Sequence, residues 1–170
     1  MAQKLAPYDR YKETIEPFCK QGIILVSGTQ GNPMTIGWGS IGVYWGKPVF
    51  TVVVRPSRYS YELLIELPEF SVNVMGDDYK KQVAYCGSCS GRDENKAQVC
   101  GFELASCDDI KVPYIRQALF HYECRILNHA DFMEEAMNKE IATRFYPQKD
   151  YHRAFYGEIL GLYEAREKHD

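Results

Sequence analysis

Six residues, Arg55-Pro-Ser-Arg-Tyr-Ser60, follow an apolar run that ends in Val52-Val-Val54. Two guanidinium groups and two hydroxyls fall together there, just ahead of a stretch that reads as a helix. The rigid fork of arginine fits phosphate oxygens two at a time. The free N–H groups of a helix start favour the same charge. Arg55, Ser57, Arg58 and Ser60 therefore form a donor set for an anion, with a solvated turn as the plain alternative. A second polar stretch, Ser88-Cys-Ser-Gly-Arg-Asp-Glu-Asn-Lys96, offers hydroxyls, a glycine and an amine. Ser90 with Asp93 fits a capping box at a helix start. Lys96 would add charge to an anion-binding loop.

Cysteine chemistry is the rival reading. The chain has Cys19, Cys86, Cys89, Cys100, Cys107 and Cys124. Cys86-Gly-Ser-Cys89 with Cys100 and Cys107 would supply four thiolates for zinc. The six residues between Cys100 and Cys107 exceed the usual knuckle spacing. A thioredoxin-like pair normally follows a strand in a βαβ unit, which the sequence does not offer. Small buried thiols are the better reading, and no metal site is assigned. Gly37-Trp-Gly-Ser-Ile-Gly42 matches G-x-G-x-x-G letter for letter. The residues after it alternate like a strand, where a dinucleotide site needs a helix.

The elements that must carry these groups are short. Ile23 to Ser27 reads as a buried strand between glycines, and Thr29 to Pro33 as a loop. Trp38 to Trp45 alternates with strand period, Gly46-Lys-Pro48 reads as a turn, and Val49 to Val54 is β-branched and apolar. Ser60 is placed to cap a helix over Tyr61 to Leu67, which Pro68 ends. Phe70 to Val74 is a strand. Asp77 or Asp78 opens a helix reaching Cys86, with Gly87 past its end. Leu119 to Leu127 alternates most clearly, with His121, Glu123 and Arg125 on one face. Asp131 to Phe145 reads as a helix interrupted near Asn138, and Ala154 to Tyr163 as the last strand. Gly157 and Gly161 share a face of that strand, which predicts close approach of another backbone or a ligand. Many short strands with few helices predict a mainly β fold, a barrel with helical insertions.

Length and charge narrow the function. The 170 residues suit a single domain over 1–170. Net charge is −3, which argues against broad nucleic-acid binding and makes any anion site local. No apolar stretch approaches the ~20 residues of a membrane span. The segment MAQKLAPYDRYKE has no apolar core, so no signal peptide is expected. Reduced thiols and a cytoplasmic location follow as expectations.

Three motifs in order carry a resemblance: Asn32-Pro-Met-Thr-Ile-Gly-Trp38, then Val54-Arg-Pro-Ser-Arg-Tyr-Ser60, then Cys86-Gly-x-x-Ser-Gly-Arg-Asp-x-x-Lys96. With the tail Asp150-Tyr-His-Arg-Ala-Phe-Tyr-Gly-Glu-Ile159, the chain resembles the flavin reductase-like family from about Gly22 to Tyr163. Its members include flavoredoxins and flavin reductases. The resemblance implies a Greek-key split β-barrel and a homodimer with FMN near the subunit interface. It sets Asn32, Met34, Thr35 and Trp38 along the flavin ring. It sends Arg55, Ser57, Arg58 and Ser60 toward the ribityl chain and phosphate, and closes the phosphate pocket with Ser90, Gly91 and Lys96. On that basis the two arginines hold a phosphate or position a loop that does. The implied reaction is hydride transfer from NADH or NADPH to FMN, which needs no protein nucleophile; no catalytic residue is assigned. His152 lies in the family-like tail, facing flavin, nicotinamide or solvent. The alternatives are an FMN-binding electron carrier served by a redox protein partner without nicotinamide activity, and a cysteine-rich zinc-binding module. Two positions depart from the family pattern. Ser60 stands where threonine is common, and Cys89 puts a second thiol inside the phosphate loop.

Overall fold

The computed structural model describes residues 3–164. In chain order the elements are β1 (Gln3–Leu5), α1 (Tyr11–Phe18), β2 (Ile23–Ser27), β3 (Asn32–Ile36), β4 (Gly39–Tyr44) and β5 (Lys47–Val54). Then come α2 (Tyr59–Glu66), β6 (Glu69–Val74), α3 (Lys80–Ser88), α4 (Lys96–Val99), β7 (Leu104–Ala105) and β8 (Tyr114–Ile115). The last three are β9 (Phe120–Asp131), α5 (Lys139–Phe145) and β10 (Arg153–Glu164). The main sheet is antiparallel with strand order β3-β2-β6-β9-β10-β5-β4, and β1 adds to β10. The two long strands, β9 and β10, form its spine and run in register from Arg153↔Asp131 to Glu164↔Phe120.

The sheet curls around an apolar interior. Leu25, Phe50, Val52, Phe70, Val72, Tyr122, Phe155 and Leu162 meet there. Register shifts in β10 at Tyr156/Gly157 and Ile159/Gly161 allow the bend. Gly157 is required at the first: a Cβ there would sit 2.5 Å from the Phe70 ring. The close approach is thus to neighbouring side chains, not to another backbone or a ligand as expected. Strand β2 is buried on both faces. Ile23 and Leu25 point into the barrel. Ile24 and Val26 face a second apolar layer with Val83, Ala97, Phe102, Val112 and Ile115. A strand covered on both sides reads as a continuous apolar run, which is why Ile23 to Ser27 was legible.

Several local expectations are corrected. Asn32 and Pro33 open the strand β3 instead of closing a loop. Proline is tolerated because β3 is an edge strand, paired only to β2 in the sheet order. The β4–β5 turn is Trp45-Gly46, both at positive φ (53° and 69°), with Lys47 and Pro48 already in β5. Arg58, with an extended backbone, takes the N-cap of α2, so Ser60 lies in the first turn. Gly87 lies inside the last turn of α3. Asp131 ends a long strand, and only Lys139–Phe145 is α-helical in the following stretch. Asn138 caps α5, accepting from the N–H groups of Glu140 and Ile141.

Candidate functional site

Strand β3, the β5–α2 turn, the end of α3 and the loop before α4 enclose one cleft of about 550 Å³. All eleven residues singled out in the sequence line it: Asn32, Met34, Thr35, Trp38, Arg55, Ser57, Arg58, Ser60, Ser90, Gly91 and Lys96. Its size falls in the range of pockets that bury a small organic ligand. His152 is in the same wall.

The protein's own contacts fix most of these groups. Thr35 Oγ1 donates to the Val83 carbonyl at 2.5 Å and ties β3 to α3. Asn32 Nδ2 donates to Ser60 Oγ at 2.9 Å and ties β3 to α2. Ser60 is buried, and because its oxygen accepts that bond its own O–H is left to donate. Gly91 packs so tightly on Asn32 Oδ1 and the Tyr59 ring that no Cβ fits. The 90–93 segment is a turn in which Ser90 Oγ accepts from the Arg92 N–H at 3.2 Å. It is not a capping box: α4 begins at Lys96 under an Asn95 cap. Lys96 is buried, and its Nζ donates to the carbonyls of Cys86 (3.1 Å) and Cys89 (3.3 Å). Burial pushes that amine below its usual range. Lys96 therefore closes the loop on itself while bringing its charge to the cleft.

The two arginines part ways. Arg55 Nη1 donates to the Asp150 carbonyl at 2.6 Å and Nη2 to the Phe145 carbonyl at 2.9 Å. Its guanidinium lies 4.8 Å over the Tyr146 ring. Ser57 Oγ joins it by donating to the Asp150 carboxylate at 2.7 Å. Both residues hold the 145–150 segment, which does not itself line the cleft. Arg58 is exposed, and among the described residues its side chain has no hydrogen-bond or ion-pair partner. A guanidinium left free at the N-cap of α2, beside the Ser60 hydroxyl, is what a phosphate needs.

The other end of the cleft is aromatic. The Trp38 ring stands edge-on to Phe145 at 5.3 Å and 5.0 Å from His152. His152 Nδ1 and the Tyr146 hydroxyl are 2.7 Å apart. Burial, reinforced by the charge of Arg55, pushes the His152 pKa down to about 4. The ring is therefore neutral at ordinary pH, with Nδ1 engaged by the Tyr146 hydroxyl. Arg92, Tyr146 and Asp150 were not singled out from the sequence as site residues. Arg92 donates to the Ser57 carbonyl at 3.2 Å, pairs with Glu62 and lies over Tyr59. The signals for Arg92 and Asp150 were present inside the quoted motifs, but their partners are distant in sequence.

The thiols do not form a four-sulfur cluster. All six cysteines are free. Cys86 and Cys100 are 3.7 Å apart, and burial pushes the Cys86 thiol up to about 12. Cys107 groups instead with His121 and Glu123. The glycine-rich Gly37 to Gly42 stretch runs into hairpin strand β4, so it opens no dinucleotide-binding helix. No helix among the described residues is long and apolar enough to cross a membrane.

Comparison with known proteins agrees with this geometry. The model of a family described as "Flavin reductase like domain" matches residues 18–170. An uncharacterised protein of Archaeoglobus fulgidus is 30% identical over 138 residues, 81% of this chain and 68% of its own. The crystal structure of a flavoredoxin from Methanosarcina acetivorans superposes with a TM-score of 0.68 at 26% identity, covering 85% of this chain and 68% of that one. A Shewanella frigidimarina structure described as having a split barrel domain superposes with a TM-score of 0.67 at 12% identity, covering 94% and 76%. The antiparallel barrel described above is thus a split barrel, as the sequence predicted.

Proposed function

The chain belongs to the flavin reductase-like domain family, and from that premise we propose that its cleft binds FMN for two-electron transfer. The observation that carries the reading is the guanidinium of Arg58, free of side-chain partners among the described residues, in a cleft where Arg55, Ser57, Thr35 and Lys96 are held by the protein. The residues present fit the group. Arg58, the Ser60 hydroxyl and the first turn of α2 suit its phosphate; Lys96 adds positive charge behind the loop. Met34, Trp38 and the neutral His152 suit a flat, largely apolar ring. Bound flavin would supply the redox chemistry, accepting hydride from NADH or NADPH and passing electrons on.

The chain's own residues bind, orient and shield. Arg58 neutralises the phosphate charge. Asn32, held to Ser60, fixes the spacing between β3 and the helix start. Arg55 pins the segment that carries Phe145 and Tyr146 against the Trp38 end, which keeps water from the reacting edge. His152 presents a neutral polar ring there without adding a full charge. Exposed Tyr44 and Trp45, packed on Tyr156, support assembly as a homodimer through the β4–β5 hairpin.

A second reading, an FMN-dependent electron carrier, is favoured by the likeness to flavoredoxin. One experiment addresses both. FMN is titrated into the purified protein, the complex is passed through gel filtration, and it is then mixed rapidly with NADH or NADPH. Retained flavin bands that bleach with a nicotinamide support the reductase. Retained bands that bleach only with a reduced protein donor support the carrier. No uptake of FMN overturns both.

A further inference from the structure

Outside the cleft, β9 and the loop between β7 and β8 bring a thiol, an imidazole and a carboxylate together. The Cys107 sulfur, a His121 ring nitrogen and a Glu123 carboxylate oxygen lie within 4.8 Å of one another. His121 and Glu123 are buried, with His121 Nε2 3.1 Å from Glu123 Oε1. None of the three lines the cleft.

We propose that Cys107, His121 and Glu123 form a site for a zinc-class divalent cation, with water as the fourth ligand.

Three features support this assignment. The first is spacing. A tetrahedral ion with bonds of about 2.0–2.3 Å keeps its ligand atoms about 3.3–3.7 Å apart. The observed cluster brackets that spacing and needs only small side-chain shifts. The second is donor chemistry. One sulfur, one nitrogen and one oxygen suit zinc and its neighbours, whereas calcium and magnesium prefer oxygen alone. The third is the supporting shell. The N–H of Asp108 donates to Glu123 Oε1 at 3.1 Å and that of Asp109 to Oε2 at 2.6 Å. The His121 ring is stacked on Tyr114 at 3.8 Å, nearly parallel, and on Tyr163 at 5.5 Å. Groups that fix the orientation of ligands in this way are usual around metal ions.

A hydrogen-bonded knot is the competing account, in which the half-buried Cys107 thiol keeps its proton and leans on the Glu123 carboxylate. Two backbone N–H groups and the imidazole already satisfy the Glu123 carboxylate. A cation would use Cys107 differently: binding releases the thiol proton to solvent and puts the sulfur on the ion. The ion would staple the irregular loop from Ser106 to Pro113 to the barrel wall.

The proposal does not rest on the flavin reading, and its test does not use flavin. The full chain is treated with chelator, freed of it and titrated with Co²⁺. One equivalent should bind, with visible d–d bands and a near-ultraviolet thiolate-to-metal band; Zn²⁺ should then displace it. Cys107→Ser should weaken binding by about a hundredfold or more, since loss of a supporting group alone costs 10–100-fold. Cys86→Ser should leave the titration unchanged, which separates this site from the Cys86/Cys100 pair. Zn²⁺ should also raise the unfolding temperature of the wild-type chain. Failure of the wild-type chain to take up one equivalent overturns the proposal, whatever any variant does. So does an unchanged thiolate band in Cys107→Ser.

Discussion

In the cleft, Arg58 has no protein partner among the described residues, and the Ser60 hydroxyl accepts a bond while its own proton stays available. At Glu123, on the outer face of β9, a buried carboxylate accepts from two backbone N–H groups and an imidazole. Both regions gather polar groups from segments far apart in sequence. One leaves its charge, Arg58, exposed at little cost in desolvation; the other buries charge and must pair it. The contrast separates donors left unpaired in the cleft from a carboxylate already paired within the fold. It also gives each substitution an expected sign.

The largest effect should come from the buried side. Glu123→Ala leaves two backbone N–H groups and His121 without their acceptor. Breaking a buried charged network in this way costs about 3–5 kcal/mol. Urea unfolding should show that loss, while the fraction that remains folded should bind FMN as the parent does. A small loss of stability with a large loss of FMN affinity would erase the distinction between the two regions.

The two arginines test the contrast inside the cleft. Arg55→Ala removes two charge-assisted bonds to carbonyls. It should cost about 1.5 kcal/mol of stability, the low end for such bonds because the side chain is only half-buried. Arg58→Ala breaks no protein contact, so stability should stay within about 0.5 kcal/mol of the parent. Its FMN affinity should fall about tenfold or more, since a phosphate contact of about 1.5 kcal/mol is one decade. Denaturant curves and FMN titrations on the same two proteins check both halves. An Arg58 variant that loses stability but keeps its affinity would reverse the assignment.

That pair also shows what was legible in the sequence. Arg55-Pro-Ser-Arg58 raised the expectation of an anion site because the residue types and the helix start are local. Which arginine remains free depends on Phe145 and Asp150, about ninety residues away, and no local pattern encodes that. The same limit explains β3. Asn32-Pro33 looks like a loop, and only the edge position of the strand makes proline harmless. Strand β9 was readable from alternation up to Leu127. Beyond it the residues Asn128 to Asp131 are mostly exposed, and their strand character comes from pairing with β10. Cys107, His121 and Glu123 carried no recognisable spacing, since one comes from a loop and two from a strand.

The last test concerns His152, which belongs partly to each side of the comparison. It lines the cleft, yet its ring is tied to Tyr146 and half-buried. Burial holds its pKa down to about 4, with the charge of Arg55 next; Arg58 adds to the depression and Asp150 opposes it. An unfolded chain binds that proton near the ordinary value of 6.5. Between about pH 6.5 and 4 the unfolded state therefore holds a proton that the folded state refuses, and stability falls as the pH falls. Below about 4 both states are protonated and this contribution stops changing. Replacing the ring by His152→Asn removes the titration. The difference in unfolding free energy between wild type and variant should then slope across that window and flatten outside it. Measuring the difference cancels the carboxylates that titrate nearby. A flat difference would mean that the imidazole protonates freely in the folded state. It would then be a surface group, and the aromatic end of the cleft would not exclude water.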